Sequence, residues 1–291
     1  MHVFVTGATG WVGSAVVEEL IGAGHRVTGL ARSQDKAAAL TATGATALIG
    51  TLDDHELLHS AAASAEAVIH TAFNHDFSKF SDNAEQDRRA IATLGSALEG
   101  SDRPLLVTSG LARLASGRLA SEADLPSPGF PRKSEAAAQA LADRGLRAAT
   151  IRLAPSVHGL GDHGFIPILI RMARETGVSA YIGDGLNRWP GVHRLDAARL
   201  YRQALEQGTT ETVYHAVAEE GLAFKDIAGV IGRRLGLPVE PRDRVHFGWF
   251  ADFAAADMAA SSARTRSLLD WQPTGPGLLE DIDQPGYYGA Q

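Results

Sequence analysis

The chain opens on His2-Val3-Phe4-Val5, a short β-branched and aromatic run. It meets the glycine-rich stretch Thr6-Gly7-Ala8-Thr9-Gly10-Trp11-Val12-Gly13 and then a helix-like segment over 14–20. Short apolar runs recur at 26–30, 46–49, 67–70, 105–108 and 148–152. Helical segments separate them near 34–40, from Asp54 onward, at 82–99 and through 134–138. Runs that are apolar without strict alternation are buried on both faces, the signature of parallel strands covered by helices. The pattern therefore predicts an α/β fold, a doubly wound parallel Rossmann sheet of six strands. Beyond Ser156 the order loosens: 165–175, 195–205 and 221–235 read as helical and 212–214 as a strand. These pieces predict a small C-terminal α/β substrate lobe. Residues 1–155 form the dinucleotide-binding core and 156–291 mostly the lobe, interleaved with the core as one compact unit.

Composition narrows the function. A hydrophobic fraction of 45% with 21% charged residues is that of an ordinary globular chain. A net charge of −7, with no basic run longer than a pair such as Arg88-Arg89 or Arg233-Arg234, excludes nucleic acid and anionic membranes as partners. No apolar stretch approaches the ~20 residues of a bilayer span. The start of the chain lacks a basic and apolar leader, which predicts a cytoplasmic protein. The absence of cysteine removes disulfides, thiolate zinc sites and thiol nucleophiles. What remains is His, Ser, Thr, Tyr, carboxylates, Lys and a cofactor.

Gly7, Gly10 and Gly13 lie between strand and helix, where the first permits a tight turn and the last lets helix and strand approach. The helix N-terminus then faces a pyrophosphate. An acid at the end of the second strand would bond the ribose of NAD, but that strand ends Leu30-Ala31-Arg32-Ser33. A guanidinium at Arg32 matches a 2′-phosphate, which predicts NADP(H) over NAD(H). Asp53 follows the third strand, either to accept from the adenine amino group or, with Asp54, to cap a helix.

With that turn, the strand end His70-Thr71-Ala72-Phe73-Asn74-His75-Asp76, the segment Arg152-Leu153-Ala154-Pro155-Ser156-Val157-His158-Gly159, the stretch from Gly183-Asp184-Gly185 to Val192-His193-Arg194-Leu195-Asp196, and the tail Leu269-Asp270-Trp271-Gln272-Pro273, the chain resembles the extended or atypical branch of the short-chain dehydrogenase/reductase superfamily. The NAD-dependent epimerase/dehydratase-like proteins belong to that branch. The resemblance spans essentially the whole chain. It implies that Trp11 and Val12, in the same turn as Thr9, offer backbone N–H groups to the pyrophosphate. Thr71, Ala72 and Phe73 would line the adenosine and ribose side, Thr108 and Ser109 would border the nicotinamide, and Pro155, Ser156 and Val157 would close its pocket.

One departure stands out. The family places a Tyr and, four residues on, a Lys at the start of the helix after the fifth strand. Here the natural alignment sets Phe130 at the Tyr position and Ser134 at the Lys position, and Phe has no ionisable oxygen. Lys133 is one residue off, about 100° around a helix. Replacement chemistry falls to Ser109, at the carboxyl edge of the fifth strand, to orient a substrate oxygen. His75, after the fourth strand, or an ordered water is expected to supply the proton. Asn74, Phe130, His158 and Trp189 are expected in the substrate pocket. His158, His163 and His193 lack the spacing of a zinc motif, so no metal is predicted. The expectation is an NADP(H)-dependent oxidoreductase acting on a small carbonyl or alcohol with a non-standard proton donor. The alternatives are a non-redox isomerase, dehydratase or cyclase on the same fold, or a catalytically inactive NADP(H)-binding regulator. Ala136-Ala137-Ala138 permits close helix approach, and the resemblance implies a homodimer.

Overall fold

His2–Thr6 forms β1, with its last four residues buried, and the chain reverses at Gly7 into α1 (Trp11–Gly22). The computed structural model describes residues 1–111, 114–115, 117–127, 129 and 131–289. Strand and helix then alternate as β2 (Arg26–Ala31), α2 (Gln34–Ala42), β3 (Thr46–Ile49), α3 (His55–Ala63), β4 (Ala67–His70), α4 (Phe80–Ser96), β5 (Leu105–Gly110), α5 (Ser134–Ala142) and β6 (Ala148–Leu153). The next elements are β7 (Ser156–His158), α6 (Phe165–Thr176), β8 (Ser179–Ile182), β9 (Arg188–His193), α7 (Arg194–Glu206), β10 (Val213–Ala216), β11 (Glu219–Ala223), α8 (Phe224–Leu235) and β12 (Val239–Arg242). Short helical turns follow, to Tyr288.

The principal sheet has seven parallel strands in the order β10-β6-β5-β4-β1-β2-β3. β1 pairs with β2 on one side and β4 on the other, so the strand order reverses beside it. That is where doubly wound sheets open a ligand crevice at their carboxyl edge. Two apolar layers cover the sheet. Val16, Leu20, Leu200, Tyr201 and Trp271 pack on one face, and Leu58, Ile91, Leu94 and Leu141 on the other. A third core, around Trp189, Phe224 and Phe250, holds the lobe, which contains the small sheets β11-β9-β7 and β12-β8.

Two segments expected in the lobe belong to the principal domain. Residues 212–214 fall in β10, a seventh strand in register with β6 from Val213 opposite Thr150 to Ala216 opposite Leu153. Residues 195–205 fall in α7, which packs along α1. A strand's own pattern reports that it is buried, not which sheet edge it joins. The aromatic run 246–253 spans three short helical turns, and its Phe247 and Phe250 fill the lobe core while Trp249 is exposed.

A buried charge network pins the long connection between β5 and α5. Arg152 on β6 is fully buried; its Nε donates to Glu135 Oε2 at 2.9 Å and its Nη2 to the Asp124 carbonyl at 2.7 Å, and its Nη1 meets His215 Nε2 at 3.0 Å. Removing one member of a buried ion pair strands the other charge without water. Glu135→Ala should therefore lower the unfolding free energy by about 3–5 kcal/mol in urea denaturation, and Glu135→Gln, which keeps an acceptor, should lose less.

Candidate functional site

The glycine turn is tighter than any side chain allows. Gly7 has φ +69°, and a Cβ there would sit 2.6 Å from the Ala72 nitrogen and 2.7 Å from Thr71 Oγ1. A Cβ at Gly13 would lie 2.0 Å from the Gly7 carbonyl oxygen. The Gly10 N–H closes the turn on that carbonyl at 2.8 Å, and Thr71 Oγ1 donates to the Thr6 carbonyl at 2.8 Å. α1 thus begins hard against the exits of β1 and β4, with no side-chain cap and no acid in its first turn. Its leading N–H groups keep their capacity for an anion, and the macrodipole favours one. These residues fit a dinucleotide pyrophosphate.

Trp11 directs its side chain away from the turn. Its Nε1 donates to the Val157 carbonyl at 2.7 Å, Arg194 lies 4.4 Å above its ring, and His163 meets it edge-on at 5.6 Å. Arg32 is exposed directly after β2 and makes no ion pair with a described residue. Asp53, also exposed, accepts from Gln86 Nε2 at 2.6 Å. The N-cap position of α3 belongs to Asp54, whose carboxylate accepts from the Thr51 backbone and hydroxyl, and those bonds hold its pKa below the usual range.

At the other end of the crevice, the strand ends carry a continuous polar chain. Thr6 Oγ1 meets His70 Nδ1 at 2.7 Å, and His70 Nε2 meets Asp87 Oδ1 at 2.9 Å. Ser134 Oγ donates to Asp87 Oδ2 at 2.6 Å, and Arg132 Nε donates to Ser134 Oγ at 2.9 Å. Arg132 Nη2 returns to the Thr108 carbonyl at 3.1 Å, while Thr108 Oγ1 donates to the His70 carbonyl at 2.8 Å and bonds the Tyr201 hydroxyl at 2.6 Å. Burial pushes the Tyr201 phenol far up, so it is held neutral inside the core and does not take the place of the family's tyrosine. Ser134, which the resemblance sets at the lysine position, is fully buried and spends its hydroxyl on Asp87. Lys133 points outward, with its Nζ 2.8 Å from Glu85. Phe130 lies outside the described residues.

Ser109 follows Thr108 and is nearly buried, and its hydroxyl makes no hydrogen bond with a described residue. Phe73, Asn74 and His75 leave β4 beside it. The Asn74 side chain accepts from the Asp76 N–H at 3.2 Å, an Asx turn, and His75 sits edge-on to Phe73 at 5.5 Å. Desolvation, then the Arg132 charge, holds the His75 pKa below its ordinary value. Thr71, Ala72, Phe73, Pro155 and Val157 are partly exposed at the same edge. Sequence reasoning missed Arg132, Asp87, His70 and Tyr201. The signal for His70, Asp87 and Tyr201 was a polar residue on an otherwise apolar strand or helix face; Arg132, before α5, gave none.

Two pocket residues need correction. Trp189 is fully buried in β9, against Phe165, Phe224 and Phe250, because the lobe core is built around its ring; no face is left for a ligand. His158 is also fully buried. Its Nδ1 is 2.8 Å from Asp281, which in turn accepts from the Tyr287 hydroxyl at 2.6 Å. Among the described residues no group of three or more His, Asp and Glu could hold a metal ion, and no helix is long and apolar enough to cross a membrane.

A family model described as NAD(P)H-binding matches residues 7–155, from the first glycine of the turn to just past β6. The chain belongs to this family. It is 46% identical to an uncharacterized protein of Schizosaccharomyces pombe, over 99% of this chain and all of that one. It is 26% identical to a decarboxylating sterol-4-alpha-carboxylate 3-dehydrogenase of Dictyostelium discoideum, over 77% of this chain and 73% of the relative. Among solved structures, dTDP-glucose 4,6-dehydratase of Streptomyces venezuelae, with NAD and TYD bound, superposes with a TM-score of 0.79 at 19% identity, covering 99% of this chain and 97% of that one. UDP-N-acetylglucosamine 4-epimerase of Bacillus cereus gives 0.75 at 18% identity, covering 99% and 98%. The fold of this NAD(P)H-binding chain is that of the epimerase/dehydratase-type short-chain dehydrogenases/reductases.

In this family member the loop beside Trp11 carries a titrating acid. Asp162 is buried, and desolvation raises its pKa to about 6, while the Gly164 N–H it accepts at 2.7 Å opposes the shift. A folded pKa above the unfolded one contributes stability at low pH that is lost as pH rises through the folded value. Asp162→Asn should therefore melt higher than wild type at pH 8, with the difference shrinking toward zero or reversing by pH 4.5. Calorimetric scans across that range check it.

Proposed function

We propose that the chain is an NADP(H)-dependent oxidoreductase that reduces a small carbonyl or oxidises the corresponding alcohol without the family's tyrosine and lysine. The observation that carries this reading is the uncapped N-terminus of α1, pressed by Gly7 and Gly13 against the exits of β1 and β4 in a chain of the NAD(P)H-binding family. Arg32 supports the phosphorylated cofactor: it stands where an acid would bond the ribose, and no described residue neutralises it. The dehydrogenase and ketoreductase names of distant relatives accord with redox chemistry.

Trp11 and Val12 would hold the pyrophosphate through their backbone N–H groups, with Thr9 beside them. Thr71, Ala72 and Phe73 would border the ribose, with Thr108, Pro155 and Val157 near the nicotinamide. Bound there, the cofactor would supply or accept hydride. The Ser109 hydroxyl then orients the substrate oxygen, and Asn74 and His75 form the adjoining wall. His75 exchanges the proton; its depressed pKa makes it a stronger acid than free imidazole but one sparsely protonated at pH 7. Thr6, His70, Asp87 and Ser134 keep the strand ends fixed beneath the reacting atoms.

Calorimetric titration with NADPH, NADP, NADH and NAD tests the cofactor assignment. NADPH should bind tightest, and Arg32→Ala should weaken it roughly tenfold while leaving NADH unchanged. If none of the four binds, the reading fails. With a turned-over carbonyl in hand, the reduction rate should climb as pH falls below 6.5, toward the lowered pKa of His75. His75→Asn should flatten that rise; an unaltered profile would remove His75 as donor.

A further inference from the structure

Arg132 is the group at this site whose position the fold explains least. A guanidinium carries five N–H donors. Among the described residues two of the five are used, one on Ser134 Oγ and one on the Thr108 carbonyl, which leaves three. No described carboxylate pairs with it, since the nearest acid, Asp87, is committed to His70 and Ser134. The guanidinium lies 4.3 Å above the Phe73 ring, which fixes its plane. Arg132 is half-buried; desolvation lowers its pKa, with the Asp87 and Tyr201 charges opposing, and no described carboxylate balances its charge at contact distance. The neighbouring imidazole, His75, is driven toward its neutral form by this same charge and offers no anion. A planar, preset cation with spare donors, walled by an aromatic face, is built to receive a carboxylate in bidentate fashion. The receptor is also in register with the chemistry, because the carbonyl that anchors Arg132 belongs to Thr108 and the next residue is Ser109.

We propose that Arg132 binds a carboxylate on the substrate, so that the pocket takes a 2-oxo acid or its 2-hydroxy counterpart, with Ser109 on the adjacent carbonyl or hydroxyl oxygen. This rests on the oxidoreductase reading above for what happens to the carbonyl, but the anion receptor itself stands or falls separately. In a chain of negative net charge, the local charge of Arg132 favours a carboxylate at this place.

The test uses the full chain and oxamate, an unreactive 2-oxo acid analogue, followed by calorimetry with and without NADPH, with lactamide as a neutral probe. Wild type should bind oxamate well above lactamide. Arg132→Lys, which keeps the charge but loses the planar fork, and Arg132→Gln, which loses both, should weaken oxamate by roughly ten- to hundredfold while NADPH affinity holds. In the nuclear magnetic resonance titration of wild type, oxamate should raise the His75 pKa by placing an anion beside it, and in Arg132→Gln it should not. Equal affinity for oxamate and lactamide, no oxamate binding by wild type, or oxamate binding indifferent to Arg132 would each overturn the proposal. Even if one variant fails to fold, the comparison of charged and neutral probes on wild type decides. Loss of NADPH binding with oxamate recognition intact would sink the cofactor reading and leave the receptor standing.

Discussion

Everything in the crevice depends on how closely α1 approaches the ends of β1 and β4. With a Cβ at Gly13 only 2.0 Å from the Gly7 oxygen and one at Gly7 2.6 Å from the Ala72 nitrogen, three backbone segments meet where side chains would ordinarily hold them apart. The contact aims the unpaired N–H groups of a twelve-residue helix at the point where the strand order reverses. Its cost is conformational, since glycine gives up more backbone freedom on folding than any other residue. The return is a fixed electropositive end at the mouth of the sheet in a chain whose net charge is negative.

Beneath that end the protein invests heavily in buried polarity. The chain from Thr6 through His70, Asp87 and Ser134 to Arg132 links β1, β4, α4 and the start of α5. Each group satisfies the next, as burial requires. In the wider family a tyrosine and lysine occupy this region. Here the resemblance sets Ser134 in the lysine's place, and a positive charge lies two residues earlier, on Arg132, anchored to the backbone of β5. The cation near this edge is a planar fork rather than a flexible point charge.

The sheet was legible because six of its strands are local apolar runs set between helices, and residue 7 begins a glycine spacing with one structural meaning. β10 was not, because Val213-Tyr214-His215-Ala216 is too short to declare its partner, and only the long-range pairing with β6 places it. Trp189 misled for a related reason. It was expected in the substrate pocket, but it lies in a buried strand and its ring is the centre of the lobe core. The role of Arg132 could not be read at all from the sequence, because its meaning lies in contacts with Phe73, Thr108 and Ser134, of which only the last is its neighbour in the chain.

The indole of Trp11 joins two parts of the molecule that might otherwise move apart. Its Nε1 is bound to the Val157 carbonyl, Arg194 lies on its face, and Arg194 in turn donates to Ser14 at 2.9 Å. A residue of the phosphate turn is therefore also a latch on the lobe. Widening the crevice at this point would break the Trp11 bond to Val157 and wet an aromatic ring.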